Sequence, residues 1–136
     1  MPFKLNKDDI DSKSGFLAIR HFPGKGRGVI VLKNIRAGTI IEKSPVIVVP
    51  EHQIEMLSRT VVGDFPFDWK TGEEDGEAIL LGWGSLFNHS TEPNVAFCRD
   101  YEEKCITFYT LRRIKVGEEL VYDYGDIWFE SVENSV

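Results

Sequence analysis

Along residues 16–49 apolar positions recur in short runs between glycine and charged positions: Phe16-Leu17-Ala18-Ile19, Gly28-Val29-Ile30-Val31-Leu32, Thr39-Ile40-Ile41-Glu42 and the stretch from Val46 to Val49. Short apolar runs bounded by turn residues are the signature of strands. The breaks at Pro23-Gly24, Ala37-Gly38 and Ser44-Pro45 supply the fixed or positive φ at which a chain reverses, so each run is predicted to be a separate short strand. Helical spacing occurs over residues 51–59, where Ile54, Leu57 and Val61 would share one face and Glu51, Glu55 and Arg59 the other. Residues 64–69 are aromatic and 70–77 acidic with glycine, which reads as an insert over about 52–78 running across the surface. A second β region follows, with Val95-Ala96-Phe97-Cys98, a turn over 100–104 and a strand over 105–111 predicting a hairpin that puts Cys98 and Cys105 on neighbouring strands. Many short strands with little helix predict a mainly β fold.

A chain of 136 residues, 42% hydrophobic and 28% charged, fits a single domain with a modest core and excludes disorder and collagen. With 16 Lys and Arg against 22 Asp and Glu, the net charge of −6 argues against a free-standing duplex-DNA binder, so no direct nucleic-acid contact is expected and a basic partner is. The two cysteines lack a CxxC spacing and His21, His52 and His89 are scattered, so no metal site is expected. Apolar runs all fall short of the about 20 residues a membrane span requires, and residues 1–15 hold lysines without an apolar core. The expectation is an intracellular, unprocessed protein with reduced thiols. Gly24-Lys25-Gly26-Arg27-Gly28 has neither the GxxxxGK[ST] nor the GxGxxG spacing, but its glycines let a backbone approach a ligand closely. Ser85 is not in a GxSxG setting, which disfavours a serine hydrolase.

Two further segments stand apart. In residues 81–94 an apolar run ends in Phe87-Asn88-His89-Ser90 and then Pro93-Asn94; in residues 117–126, Gly117-Glu118-Glu119-Leu120 leads to Tyr122-Asp123-Tyr124-Gly125. Taken in order after Gly26-Arg27-Gly28-Val29, they resemble the SET domain family of protein lysine methyltransferases. The resemblance runs over residues 16–128, nearly the whole chain, and implies one SET domain over 1–136 without flanking domains, similar in size to short viral and bacterial members. The implied fold is a β-clip of several small sheets with a knot-like C-terminal substructure, in which the segment matching 119–125 passes beneath a loop adjoining Asn88-His89.

The same resemblance implies the chemistry. S-adenosylmethionine would be the cofactor, with Lys25, Gly26, Arg27 and Gly28 at its methionine part, Asn88 and His89 at its adenosine end, and Trp128 covering the adenine. Tyr124 matches the catalytic tyrosine, whose hydroxyl aligns the reacting amine. Tyr122 falls where relatives carry Tyr or Phe, a choice that governs how many methyls are added; Tyr implies mono- or di-methylation. Phe65, Phe67, Trp69 and Trp83 are candidates for walls of the lysine channel or for core. The zinc-binding CxCxxxxC of many relatives is missing, so zinc is not expected. The implied partner is a lysine-containing protein, with a histone tail matching the acidic charge, and a second copy of the chain could complete the substrate groove. The competing reading is a catalytically silent SET module that binds a lysine-containing peptide or partner; Asn88, His89, Tyr122 and Tyr124 favour the enzyme.

Overall fold

The computed structural model describes residues 14–64 and 67–123, in which nine strands form three sheets. β1 (Leu17–Phe22) and β2 (Gly26–Val31) are an antiparallel hairpin closed around Pro23, Gly24 and Lys25. β3 (Ile40–Pro50), β4 (Phe67–Lys70), β5 (Asp75–Leu80), β7 (Val95–Asp100) and β8 (Cys105–Thr110) make an antiparallel sheet in the order β4-β5-β3-β8-β7. β6 (Asn88–His89) and β9 (Val121–Tyr122) pair in parallel. The expected helix is a 3-10 turn at Glu51–Gln53 running into α1 (Ile54–Ser58), with Ile54 and Leu57 half-buried. Val61, assigned to the same apolar face, is instead 73% exposed. No helix among the described residues is long and apolar enough to cross a membrane.

Two expectations fail for physical reasons. The strands predicted on either side of Ser44-Pro45 are one strand, β3, which pairs with β8 through Pro45 and with β5 from Val46 onward. Pro45 thus stands where β3 exchanges partners, a place where a missing N–H costs little, and its carbonyl accepts the Leu81 N–H at 2.7 Å. The predicted surface insert is also partly interior. β4 alternates so that Phe67 and Trp69 are buried while Asp68 and Lys70 face outward. Two aromatic side chains at period two outweigh the acidic stretch beside them, since burying each contributes about 1.5–3 kcal/mol. Two stretches behave as expected: most of 52–62 is exposed, and so are residues 71–74 apart from a half-buried Glu74, tied down by Asp75 Oδ1, which accepts the N–H groups of Thr71 at 3.0 Å and Gly72 at 2.8 Å.

The β7–β8 hairpin forms as predicted, and Cys98 and Cys105 lie on its adjacent strands, though opposite Thr107 and Asp100 rather than each other. At the centre of the core Phe108 is met edge-on by Phe87 at 4.9 Å and by Phe67 at 6.5 Å, with Phe97 tilted at 6.1 Å.

The chain after β8 carries the odd feature of the fold. Residues 117–122 run along β2, with the Val31 N–H on Glu118 O at 3.1 Å, the Gly117 N–H on Val31 O at 2.8 Å and the Leu120 N–H on Val29 O at 2.8 Å. Their other side is β6 and the buried Asn94, whose Nδ2 donates to Glu119 O at 2.8 Å and whose Oδ1 accepts the Val121 N–H at 2.9 Å. The Asn94 N–H reaches Val121 O at 3.1 Å. One side chain therefore copies a strand partner, satisfying both kinds of backbone group where no neighbouring strand can.

Candidate functional site

Three segments far apart in the sequence converge at the turn end of the β1–β2 hairpin. β2 starts at Gly26, whose φ of +83° is natural only to glycine. Two residues on, Gly28 is buried because nothing larger fits. A Cβ there would press on the Glu119 carboxylate, the Asn88 amide nitrogen at 2.7 Å and the Phe22 ring at 2.8 Å. The glycine thus lets side chains from β6 and from the stretch before β9 meet over bare backbone.

What they form is a clasp. Glu119, its side chain 13% exposed, accepts Lys25 Nζ on Oε1 at 2.5 Å and Asn88 Nδ2 on Oε2 at 2.6 Å. Asn88 Nδ2 gives its other proton to Arg27 O at 3.0 Å. With both amide protons committed, Asn88 keeps its Oδ1 for another donor. The Lys25 ammonium also stands 5.2 Å from the Phe22 ring centroid.

Next along β6, His89 pairs in register with Tyr122, and its Nδ1 stands 3.7 Å from Asp123 Oδ1. Tyr122 is 5% exposed, stacked on Phe67 at 5.9 Å and met edge-on by Phe97 at 5.6 Å and Phe108 at 5.8 Å. Of the aromatic candidates for a channel wall, Phe67 touches Tyr122. Trp69 is fully buried against Tyr101 at 4.7 Å, and Trp83 lines a separate cavity of about 200 Å³ with Ile19 and Leu86. Tyr124, Trp128 and Phe65 lie outside the described residues. The Arg27 side chain, exposed, borders another cavity of about 200 Å³ whose lining includes Val61, Val62, Leu80 and Leu86.

The structure therefore brings together Lys25, Gly26, Arg27, Gly28, Asn88 and, one pair further, His89 and Tyr122. Sequence reasoning gave no role to Glu119 or Asn94, although both fall inside the quoted segments. No local period marks them, because their partners are 25 to 94 residues away along the chain. Among the described residues, the side chains that cluster as metal ligands could are Asp100, Glu103 and Cys105 at the β7–β8 turn, a group that includes no histidine. Asn88 Oδ1 and the main chain of the glycine segment leave acceptors near the buried aromatic group around Tyr122. Such a surface suits a cationic ligand whose organic body lies along bare backbone.

Comparison with known proteins bears on the family. A family model described as SET domain matches residues 26–125. A histone-lysine N-methyltransferase of Schizosaccharomyces pombe, specific for H3 lysine-37, is 41% identical over 121 residues, covering 88% of this chain and 80% of that protein. A SET domain-containing protein of Acanthamoeba polyphaga mimivirus is 53% identical over 53 residues, which are 39% of this chain and 20% of that protein. Among solved structures, a Plasmodium falciparum protein assigned as a histone methyltransferase superposes with a TM-score of 0.63 at 24% identity, over 83% of this chain and 96% of that one. At this identity the superposition speaks for the fold, which is the mainly β arrangement of several small sheets that the sequence implied.

Proposed function

The chain belongs to the SET domain family of protein-lysine methyltransferases, and on that premise we propose that it takes its methyl group from S-adenosylmethionine and delivers it to a lysine of a histone tail, adding one or two methyls. The observation that carries this reading is the meeting of Gly26-Arg27-Gly28, Asn88 and Glu119 at one point, next to Tyr122. When bound, S-adenosylmethionine supplies an electrophilic methyl on a positively charged sulfur. The donor set fits it: Asn88 has an acceptor oxygen left over, and Gly26 has open space where a Cβ would stand, which leaves its backbone accessible.

Lys25, Gly26, Arg27 and Gly28 would offer main-chain groups to its methionine part, and Asn88 and His89 would hold the adenosine end, with Trp128 over the adenine. Glu119 ties the first set to the second, so both are placed before the ligand arrives, which is where an enzyme of this kind gains most of its rate. The substrate lysine must lose its proton to attack. Tyr122 packs among Phe67, Phe97 and Phe108, and a lysine brought against these rings would have its ammonium form disfavoured by desolvation. Tyr124, two residues beyond β9, would orient the neutral amine through its hydroxyl. The histone assignment draws on the fission-yeast relative and on the net charge of −6, which favours a basic tail.

The test is transfer of labelled methyl from S-adenosylmethionine to core histones and to unrelated lysine-rich proteins, with Tyr124→Phe in parallel. Label on histone lysine that disappears in the variant is expected. Cofactor binding without transfer to any acceptor would favour a silent binding module, and no binding by calorimetry would refute the cofactor.

A further inference from the structure

The chain is acidic overall, yet its cations are not evenly spread. Residues 33–36 and 112–115 read Lys-Asn-Ile-Arg and Arg-Arg-Ile-Lys, and they are brought side by side by an antiparallel bridge between Ile35 and Ile114. The bridge is complete, with the Ile35 N–H on Ile114 O at 2.8 Å and the Ile114 N–H on Ile35 O at 2.9 Å, and both isoleucines are buried. It is braced by Asn34 Oδ1, which accepts the Val116 N–H at 2.9 Å. Lys33, Arg36, Arg112, Arg113 and Lys115 are all exposed.

The register sets Arg36 opposite Arg113 and Asn34 opposite Lys115. Like charges directly across an antiparallel pair destabilise it. Arg112 is compensated by Glu118 at 2.8 Å, and Lys33 rests 4.8 Å from the Phe16 ring centroid. Arg36 and Arg113 have no carboxylate partner among the described residues, and with Asn34, Ile35 and Ala37 they line a cavity of about 400 Å³. Two facing guanidinium groups over an open hollow form a natural cradle for a phosphate, whose oxygens accept the paired N–H donors of arginine. The ribbon is about 10 Å long at strand rise, enough to follow about three phosphates at 3.4 Å of helix axis per phosphate of one strand.

We propose that this ribbon, Lys33 to Arg36 with Arg113 to Lys115, is a contact site for the phosphate backbone of duplex DNA, used when the enzyme acts on histones carrying DNA; the second clause rests on the substrate reading above. The net charge argued against DNA binding only as an average. The acids opposing it include a separate group, Glu73, Glu74, Asp75 and Glu77, around the β4–β5 turn.

The test is fluorescence anisotropy of the full chain with a labelled duplex across a salt series, comparing wild type, Arg36→Glu/Arg113→Glu and a control with the same charge change elsewhere, Arg59→Glu/Lys104→Glu. At about −0.9 per phosphate contact, a wild-type slope of log K against log salt of about −3 is expected, and loss of two contacts should reduce it by about 2. The ribbon variant should lose at least about tenfold in affinity at low salt while the control keeps most of it. Arg36→Gln/Arg113→Gln should lie between. In the transfer assay the ribbon variant should retain its rate on a free histone tail peptide and lose rate on nucleosomes. No DNA binding by wild type, equal weakening in the control, or equal affinity for a polyglutamate chain at matched salt would overturn the proposal. Should wild type transfer no methyl to either substrate, the histone reading fails while the anisotropy series still decides the DNA site.

Discussion

Replacing Asn94 by Ala offers a quantitative test of how the C-terminal strand is held. Asn94 is 2% exposed, and its amide satisfies Glu119 O and the Val121 N–H while its own N–H reaches Val121 O. Truncation leaves the main-chain bond and orphans one carbonyl and one N–H in a partly buried stretch. At about 1–3 kcal/mol for each unsatisfied group, with the lower half of that range suited to partial burial, the loss should be about 2–4 kcal/mol. That is a large share of the about 5–15 kcal/mol a domain usually has. It should appear as a lowered denaturation midpoint at unchanged slope and as a melting temperature lower by about 10 °C. Asn94→Asp sharpens the test, because it keeps the acceptor for Val121 but faces a carboxylate toward Glu119 O. Burial and that carbonyl raise the folded-state pKa of the new acid. A raised folded pKa means the protonated form is stabilised, so the Asp variant should regain stability as pH falls through that pKa and lose it as pH rises. Asn94→Ala within 1 kcal/mol of wild type would refute the clamp, because by the same accounting two orphaned groups cost at least about 2 kcal/mol.

Gly28→Ala should cost about 1–3 kcal/mol of stability and abolish S-adenosylmethionine binding in calorimetry, since its Cβ would displace Asn88 and Glu119; binding at wild-type strength would show that the clasp is slack. Glu119→Gln removes a partly exposed ion pair and should move stability by less than about 1 kcal/mol. It also frees the Asn88 amide to turn, so KM for S-adenosylmethionine should rise by about tenfold at nearly unchanged kcat; an unaltered KM argues against a positioning role. Tyr122→Phe takes one hydroxyl out of the aromatic box and should raise the methylation order by one, and an identical product distribution by mass spectrometry would remove Tyr122 from control of the product.

Much of the β structure was readable from period-two patterns, because a strand with one wet face writes its exposure into its own sequence. The β7–β8 hairpin is such a case, whereas β1 and β2 were marked by apolar runs between turn residues rather than by alternation. Pro45 misled because its usual meaning is a break, and only the hand-over from β8 to β5 explains why a strand tolerates it. Phe67 and Trp69 were named as candidate core residues, but their segment was placed with its acidic neighbours although its own alternation, in and out, was that of a strand. The site was legible as segments but not as contacts. That Glu119 would join Lys25 to Asn88 depends on a register between three distant stretches, which no local pattern records. The basic ribbon escaped for a related reason, since a summed charge discards position.

The parallel pairing of β6 with β9 has a consequence for how the protein comes to its native state. Val121 must find Asn88 and Asn94, and Glu119 must find Ile30, across gaps ranging from tens of residues to almost ninety. Closing the longer of these loops costs about 1 kcal/mol more than the shorter ones, a small difference beside the delay that non-local contacts impose on the rate. The β1–β2 and β7–β8 hairpins close locally and can form early, so the late event is the seating of residues 117–122 between surfaces already made. Until then Glu119 is apart from Lys25 and Asn88, and the partly folded chain has a β-rich body with no assembled cofactor cradle. Activity would therefore report the last stage of folding, lagging behind the recovery of secondary structure.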